Sequence, residues 1–513
     1  MKRRQVVTSF IVCDVDTSSD NKEELKPSRS PASQGQRILI LKRSEKVHTY
    51  QNLWAGVSGS IEEQDKNPLE RAMTEIKEEL ALSHNSIALV RSGKPLTFQS
   101  EELDTEWTVY PFLFRLLVEP TQIQLDFEHV DKKWIQLEEL ATFDTVPNLR
   151  TVLDRVYLPE IVHRSLMDMF NDRNSGAQQL ADKASEVVRQ TVISKVLRSN
   201  EMNISTYFEK VRNICWHLVQ IRPSMQAAIS STLSVIHNMI DQAIKESDLS
   251  LESFEKRVSE IITSFRKESQ ENVHKLNVQF LASLFSPLFS ETSDGSDAQH
   301  YSIMTLSYSS TVFGVLCMLC HQVLIASIDH TVDIYILESR PLNEGALGLA
   351  AKLDDFLAPA ANNPRASARV RIQVITDASC AYFMANMTHV LLGADHISGI
   401  DGSVVNKIGS LNLALAAKHY DKKVHVISRL DKVYGVENEE NMEENEPVEV
   451  FVSYGGAFEK CLARKRVEVR NVYFEKVGAT LVDGYITENG LLSLKDIQTF
   501  WADRQKLVEA LID

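Results

Sequence analysis

The stretch Gly393–Ser410, with the sequence GADHISGIDGSVVNKIGS, constrains the fold of this 513-residue chain more than any other feature. The apolar run Thr388–Leu392 leads into it and predicts a buried parallel strand. Leu411–His419 is predicted to be a helix, and Val424–Ile427 the next strand. A strand, a loop, a helix and a strand in this order are typical of a parallel α/β sheet.

Asp395 follows directly after the first of these strands, at the edge where open α/β sheets bind their ligands. Asn406 and Lys407 come shortly before the predicted helix. Free backbone amides at a helix start, together with a lysine, favour an anion such as a phosphate. An ordinary glycine-rich turn with a capping asparagine explains the same residues, and their spacing alone does not separate the two interpretations.

The length and composition of the chain limit its class. A chain of 513 residues exceeds a single hydrophobic core and predicts two or three domains. The net charge of −15 makes direct nucleic-acid binding an unfavourable hypothesis. The sequence contains no apolar run of about 20 residues, so we expect no membrane span. Six scattered cysteines favour a reducing compartment, and we expect a cytoplasmic protein.

A second group of chemically informative residues lies on a predicted helix that begins at Asn67-Pro68. Glu75 and Glu79 are four residues apart and share a face of this helix, and Glu78 lies beside them. Crowded carboxylates repel one another unless a hard cation such as Mg²⁺ or Mn²⁺ lies between them, where it also binds a pyrophosphate. A solvated acidic helix face is the alternative.

The turn LWAGVSGS (residues 53–60) followed by EIKEE (75–79) resembles the Nudix box, whose core reads R-E-U-x-E-E-x-G-U with U aliphatic. This resemblance implies an α/β/α sandwich over residues 1–165, with Glu75, Glu78 and Glu79 as metal ligands. The chain departs from the motif at Thr74, where the family has arginine, and at Ala81, where it has glycine. In the family that arginine orients the glutamates by a salt bridge, so Thr74 removes a contact that serves hydrolysis.

Residues 166–299 repeat apolar side chains at three- and four-residue intervals and predict a helical domain. Its main helices are predicted at Gln178–Leu197, Met202–Ile221, Ser224–Ser247 and Leu251–Phe285.

From residue 300 to 513, predicted strands alternate with helices, which indicates a Rossmann-like parallel sheet. Further strands are predicted at Met304–Leu306, Asp333–Glu338 and Arg371–Thr376. A polar cluster follows each of them, so we expect these clusters to meet at one rim. Residues 436–449 are rich in glutamate and are predicted to be a disordered insertion. The CxxC of Cys317 and Cys320 lies in an apolar helix and is interpreted as core packing.

GADHISGIDGSVVNKIGS, together with ESRPLNEG (338–345) and YITENG (485–490), resembles the initiation factor 2B α/β/δ-subunit family. That family includes the methylthioribose-1-phosphate and ribose-1,5-bisphosphate isomerases. The resemblance implies that Arg340 binds a phosphate and that Asn406 and Lys407 contact the ligand. It also makes Arg222 a candidate phosphate contact, although a helix-end cation on a backbone carbonyl is an equal alternative.

Ser307 is the main departure from this family. In the isomerases the first strand leads to T-x-C-N, whose cysteine works with the aspartate that corresponds to Asp395. Here the aligned residues are Thr305 to Tyr308, with Ser307 in place of the cysteine. A hydroxyl is a much poorer proton donor than a thiol, whose pKa is near ~8.5. The resemblance therefore implies a retained ligand pocket, with Asp395 and Ser307 as the candidate catalytic residues.

Two functions follow as hypotheses. The first is a Nudix-type hydrolase of a nucleoside diphosphate or phosphoribosyl pyrophosphate derivative, fused to a domain that binds a phosphorylated ribose. Cleavage of phosphoribosyl pyrophosphate leaves ribose 1,5-bisphosphate, which links the two parts chemically. The alternative is a non-catalytic regulatory subunit related to the guanine nucleotide exchange complex of translation initiation. In either case the resemblance to the initiation factor 2B family implies a homo-oligomer.

Overall fold

The fold consists of two compact units, which comprise residues 1–171 with 190–218 and residues 172–189 with 219–513. The prediction of an α/β multidomain chain is confirmed. The computed structural model describes residues 2–16, 24–26, 36–101, 103–172, 175–199, 202–246, 250–289, 298–326, 328–360, 368–435, 445–452, 454, 456–464 and 466–512.

A mixed sheet forms the centre of the first unit. Its two longest strands, β1 and β8, pair in parallel, with Val6 opposite Val109. The strand order is β4-β3-β1-β8-β6, with β2 and β5 also paired to β1, β7 to β8 and β9 to β3. The strands are β1 Lys2–Asp16, β2 Glu24–Lys26, β3 Arg37–Arg43, β4 Trp54–Ala55, β5 Val57–Ser60, β6 Ile87–Ser92, β7 Leu96–Ser100, β8 Thr105–Leu116 and β9 His129–Ile135.

Helix α1, Pro68–Leu80, packs on this sheet. Asn67 caps it by accepting a hydrogen bond from the Glu70 amide at 3.0 Å. Ala72, Ile76 and Leu80 are fully buried in the core, while the opposite face meets solvent. The helix ends at Ala81 in a left-handed conformation with φ of 56°. The glycine that the Nudix motif has at this position would avoid the resulting strain, which is of the order of 1–2 kcal/mol.

The helical middle agrees closely with the periodicity of the sequence. Helix α4 is divided between the two units at Arg189 and Gln190. Helix α5 belongs to the first unit as far as Leu218, and α6 and α7 belong to the second. The helices from 149 to 284 are α2 Leu149–Asp154, α3 Glu160–Asn171, α4 Ala177–Ile193, α5 Ile204–Gln220, α6 Gln226–Glu246 and α7 Leu251–Leu284.

A seven-stranded sheet forms the centre of the second unit, in the order β12-β11-β10-β13-β16-β19-β20. All neighbours are parallel except the last pair. From β10 the chain adds β11 and β12 toward one edge of the sheet, and from β13 it adds β16, β19 and β20 toward the other edge. The boundary between β10 and β13 is therefore the topological switch point, where such sheets bind ligands. The strands are β10 His300–Leu306, β11 Thr331–Leu337, β12 Val370–Ile375, β13 His389–Leu392, β16 Val424–Ile427, β19 Gly484–Thr487 and β20 Gly490–Leu492.

Helices cover both faces of this sheet, so that Ile303, Ile334 and Val426 have no exposed surface. Cys320, on α8, is fully buried in the core, as the packing interpretation of the CxxC predicted, and all six cysteines are free thiols. The helices are α8 Ser310–Ile325, α9 Ala351–Leu357, α10 Cys380–Met384, α11 Ser410–His419, α12 Val448–Phe451, α13 Gly456–Ala463 and α14 Leu494–Ile512.

The stretch Gly393–Ser410 folds into part of a second, smaller sheet that the sequence analysis did not predict. Four short strands pair in the order β17-β14-β15-β18. They are β14 His396–Ser398, β15 Val404–Lys407, β17 Val433–Tyr434 and β18 Phe474–Val477. The glycine-rich segment is therefore mainly a hairpin, and it places Asp395 at its base.

Residues 436–444 of the predicted acidic insertion lie outside the described residues. The rest of that segment is described, and the Asn445 amide donates to the Asn471 carbonyl at 2.8 Å. Within the part of the chain that the structure describes, no helix combines the length and apolar character needed to cross a bilayer.

Candidate functional site

Two of the three candidate metal ligands of the first unit are buried. Glu75 and Glu79 on α1 are 6% and 2% exposed, whereas the Glu78 side chain is 59% exposed. Gly59 lies against Glu75 so closely that a Cβ there would come within 1.4 Å of Glu75 Oε1. The Ser58 amide donates to Glu79 Oε1 at 3.2 Å. Strand β5 thus contacts both carboxylates, and a side chain at position 59 would displace that of Glu75.

These two carboxylates are electrostatically unfavourable in the protein alone. Burial raises the pKa of Glu75, and burial together with the neighbouring Glu75 raises the pKa of Glu79 well above its usual range. Glu128 adds further negative charge to both. Glu79 Oε2 is buried without a hydrogen-bond partner among the described residues. A cation at this position would remove the repulsion and provide the missing partner.

His129 lies next to Glu79 but does not neutralise it. Its Nε2 is 3.7 Å from Glu79 Oε2, and its Nδ1 is 3.3 Å from Asp126 Oδ1. Burial lowers the pKa of His129, so the imidazole is neutral at pH 7. Sequence reasoning missed this residue, which no motif signals.

Arg71 was also missed. It lies one turn before Glu75 on the same face of α1, and its guanidinium donates to Glu75 Oε1. Its terminal nitrogens are 3.9 Å from Glu62 Oε1 and 3.9 Å from Glu78 Oε2. The motif pointed instead to position 74, where the Thr74 hydroxyl donates to the Glu70 carbonyl at 3.0 Å. The glutamates therefore do have an arginine, at a different position from that of the family.

The glutamates suit a hard divalent cation in donor chemistry, since all three offer carboxylate oxygens and one oxygen of Glu79 lacks a partner. They are not drawn together around a single point. Among the residues that the structure describes, no three His, Cys, Asp or Glu side chains are close enough to hold a metal ion.

In the second unit, Ser307 follows β10 at the rim of the sheet, with a left-handed φ of 57°. Its amide donates to Ser339 Oγ at 2.6 Å, and its hydroxyl donates to Glu344 Oε2 at 2.9 Å. Lys407 Nζ lies 2.9 Å from the same Glu344 oxygen and above the Tyr473 ring at 4.3 Å. A serine, a carboxylate and a lysine are thus in direct contact at the switch point.

Arg340 is held by its neighbours on both sides. Asp377 accepts hydrogen bonds from the backbone amides of Ser339 and Arg340, each at 2.8 Å. The Arg340 guanidinium donates to the Val450 carbonyl at 2.9 Å and lies 5.9 Å from the Tyr454 ring centre. Arg340, the predicted phosphate-binding residue, therefore contacts Val450 of α12 and Tyr454, which follows that helix.

Asp395 lies on the same rim after β13, and its amide donates to the Val405 carbonyl at 2.9 Å. Burial raises the pKa of its carboxyl, while Lys432 and then Lys407 oppose this shift. Lys432 itself is 9% exposed and donates to the Ala394 carbonyl. Sequence reasoning missed Lys432, although its place shortly after strand β16 was a usable signal.

The start of α11 already holds an anion from the chain itself. Glu475 Oε1 accepts hydrogen bonds from the amides of Gly409 and Leu411, at 2.6 and 2.9 Å. Gly409, with φ of 101°, is the N-cap residue, so Asn406 does not cap the helix. The Asn406 side chain instead donates to Ser410 Oγ at 2.9 Å.

Arg222 is buried and precedes the short 3₁₀ turn Pro223–Met225. Its guanidinium donates to the backbone carbonyl of Asp172, the residue after helix α3. This contact is the helix-end interaction that the sequence analysis left open as the alternative to phosphate binding.

Two family models match the chain. Residues 173–494, more than half of its length, match the initiation factor 2 subunit family, and residues 32–156 match the NUDIX domain. The chain belongs to the initiation factor 2 subunit family. It carries a NUDIX domain at its N-terminal end, and both resemblances inferred from the sequence are confirmed.

The eIF-2B subunit 2-like protein of Pyrococcus furiosus is 25% identical to this family member over 335 residues, which cover 65% of this chain and 97% of that protein. The methylthioribose-1-phosphate isomerase of Zea mays is 30% identical over 167 residues, 32% of this chain. The chain spans only 42% of that isomerase. The solved structure of translation initiation factor eIF-2B from Pyrococcus horikoshii is 23% identical to this chain, with a TM-score of 0.46. The match covers 66% of this chain and 100% of that one.

Proposed function

We propose that the NUDIX domain hydrolyses a pyrophosphate bond in a nucleoside diphosphate or phosphoribosyl pyrophosphate derivative, with Mg²⁺ or Mn²⁺ held by Glu75, Glu78 and Glu79. The observation that supports this most is the buried carboxylate of Glu79, which has an oxygen without a partner and lies beside a second buried carboxylate. Folding a chain around such a pair is costly, and proteins retain arrangements of this kind at functional sites.

The residues of the chain prepare this site in distinct ways. A divalent cation held by Glu75, Glu78 and Glu79 would neutralise the pyrophosphate and polarise its phosphoryl oxygens. The Ser58 amide orients Glu79, and Gly59 leaves room for the Glu75 carboxylate against strand β5. Glu78 is the exposed carboxylate of the three and is the one that a ligand arriving from solvent meets first.

The first experiment incubates the full chain with phosphoribosyl pyrophosphate and, separately, with ADP-ribose. We expect hydrolysis that requires Mg²⁺ or Mn²⁺, is abolished by EDTA, and falls at least ~100-fold in Glu75→Gln because one charged ligand is lost. Lys77→Ala, an exposed position on the same helix, should leave the rate unchanged. A wild-type protein that cleaves neither substrate with either metal would remove the basis of the proposal.

We further propose that the rim of the second unit binds a phosphorylated ribose, with contacts from Arg340, Asn406 and Lys407 around Asp395. Ser307 makes turnover unfavourable, since its hydroxyl proton is directed at Glu344 and is far less acidic than a thiol. If the NUDIX domain cleaves phosphoribosyl pyrophosphate, its product ribose 1,5-bisphosphate has the chemistry that this rim recognises. The rim then senses the product of the first reaction.

The second experiment measures ribose 1,5-bisphosphate binding by calorimetry and its conversion to a ribulose phosphate. We expect saturable binding without turnover in the wild type, and a gain of turnover in Ser307→Cys, because a thiol restores a proton donor on the same rim as Asp395. Asp395→Asn should abolish the turnover that Ser307→Cys gains. Wild-type turnover that Asp395→Asn removes would instead make the domain an active isomerase, and no binding at all would contradict the pocket.

Ser307 also favours a second function, that of a regulatory subunit related to the guanine nucleotide exchange complex. In that case the rim binds a ligand or a partner without any reaction, and the NUDIX carboxylates serve binding alone. Membership of the initiation factor 2 subunit family supports a cytoplasmic homo-oligomer under both proposals. Metal-dependent hydrolysis in the first experiment is the result that separates the two.

A further inference from the structure

We propose that Arg71 is the positioning residue of the NUDIX carboxylates. It lies one helical turn before Thr74 and takes over the role of the arginine that the family has at position 74. This inference rests on the proposed metal-dependent function of that domain. It concerns how the chain holds Glu75 in place, and it does not assign Arg71 a contact with substrate.

The position of Arg71 follows from helix geometry. Residues four apart on an α-helix differ by only about 40° around its axis, whereas adjacent residues differ by about 100°. Arg71 therefore projects on the same face as Glu75, toward the sheet, and its side chain is only 15% exposed. Thr74 is adjacent to Glu75 but offers it no cation, and its hydroxyl is bonded to the Glu70 carbonyl within the helix.

The contacts of Arg71 are those of an orienting residue. Its guanidinium hydrogen-bonds Glu75 Oε1 and also faces Glu62 and Glu78, each at 3.9 Å. Gly59 also lies against the same carboxylate. Glu75 thus contacts both a glycine of strand β5 and the arginine of its own helix. A ligand fixed in this way binds a metal without the entropy cost of ordering it first.

The electrostatics support the same role. The guanidinium faces the three carboxylates of Glu75, Glu62 and Glu78, and an arginine side chain remains protonated in proteins. The guanidinium therefore stays charged and reduces the repulsion among the carboxylates before any cation arrives. Its planar fork can contact several carboxylate oxygens at once, which the single ammonium of a lysine cannot do.

The test moves the arginine between the two positions in the full chain. The variants are Arg71→Ala, Arg71→Lys, the double variant Arg71→Ala with Thr74→Arg, and the exposed control Lys77→Ala. Mn²⁺ affinity is measured by electron paramagnetic resonance, hydrolysis is resolved into kcat and KM, and thermal unfolding is followed without metal. The metal affinity is a readout that does not depend on activity.

We expect Arg71→Ala to weaken Mn²⁺ binding by about 10-fold or more, as the loss of a residue that supports a metal ligand does elsewhere. Adding Thr74→Arg should restore most of the affinity, and Lys77→Ala should not change it. Where Arg71→Ala fails to fold, Arg71→Lys keeps the charge without the fork, and a several-fold loss is expected.

Two results would overturn the inference. The first is an unchanged Mn²⁺ affinity in Arg71→Ala, or in Arg71→Lys if only that variant folds. The second is a loss of Mn²⁺ affinity in Arg71→Ala that the added Thr74→Arg does not restore. A wild-type protein that neither binds Mn²⁺ nor hydrolyses a pyrophosphate would overturn the proposed function instead. Wild-type activity with an unaffected Arg71→Ala would leave that function standing and remove only the role of Arg71.

Discussion

Replacing Glu79 by glutamine should make the metal-free protein more stable and at the same time remove its metal-dependent hydrolysis. The buried carboxylate has an oxygen without a hydrogen-bond partner, and burial raises its pKa well above the usual range. A neutral amide of the same shape keeps the acceptor for the Ser58 amide and avoids the burial of a charge. We expect a gain of about 1–3 kcal/mol in the free energy of unfolding. Hydrolysis should fall at least ~100-fold.

The pH dependence of this gain separates it from a packing effect. A carboxyl whose pKa is raised on folding destabilises the fold while it is ionised, and this penalty disappears as pH falls through the folded-state pKa. Glu79→Gln should therefore stabilise more at pH 8 than at pH 5, as measured by thermal unfolding in EDTA. Exposed Glu78→Gln is the matched control, with lost activity and little change in stability. A Glu79→Gln protein less stable than wild type at both pH values would contradict the expectation.

The first unit should lose stability steeply as pH falls below about 6.5, because it contains two histidines that fold in the neutral form. Burial and the nearby Arg91 lower the pKa of His163 to about 4, and burial with Arg91 and Arg155 lowers that of His217 to about 3. Below pH 6.5 the two imidazoles bind protons in the unfolded chain but not in the folded chain. The loss is about 1.4 kcal/mol per pH unit for each histidine, or about 5 kcal/mol for both at pH 4.5.

The geometry explains why neither ring gains a counter-charge. His163 Nδ1 faces the Arg91 guanidinium, of which Nε and one terminal nitrogen have no partner among the described residues. His217 Nε2 is 2.7 Å from the Arg155 carbonyl and donates to it. Protonating either imidazole would add a cation to a buried region that already contains arginines.

Urea unfolding of the wild type and of the double variant His163→Gln with His217→Gln, at pH 7 and pH 5, measures this effect. The double variant should lose several kcal/mol less than the wild type between the two pH values. His84→Gln, a change of an exposed histidine of the same unit, should leave the pH dependence unaltered. The raised pKa values of Glu75 and Glu79 make the fold more stable as pH falls, but both proteins contain these glutamates. Equal changes in the free energy of unfolding with pH in the wild type and the double variant would refute the assignment to His163 and His217.

The sequence predicted the long elements of this fold well, because their signals are local. Helix α7 was expected at Leu251–Phe285 and ends one residue earlier, and strand β16 was predicted with its observed bounds. Strand β9 ends at Ile135, and a capping box between Gln136 and Glu139 then starts a 3₁₀ turn at Leu137.

The small second sheet and several site residues could not be predicted in this way. Its strands have two to four residues, and Val404 pairs with Val477, far along the chain. Such pairing leaves no local periodicity to detect. The role of Glu475 depends on the same pairing, which places it opposite Asn406. Arg71 was overlooked for another reason: the motif fixes a position in sequence, whereas the contact depends on which helix face a side chain occupies.

Glu475 has a consequence for how quickly, and not only how tightly, a phosphorylated ligand would bind. Since this carboxylate fills the start of α11, the ligand must find its charge partners among the lysine and arginine side chains of the rim. The whole chain carries a net charge of −15, which repels an anion at long range. Salt screens that repulsion beyond about 8 Å but acts less on pairs formed inside the rim. We therefore expect the rate at which phosphate associates with this protein to rise at moderate ionic strength, the reverse of electrostatic steering.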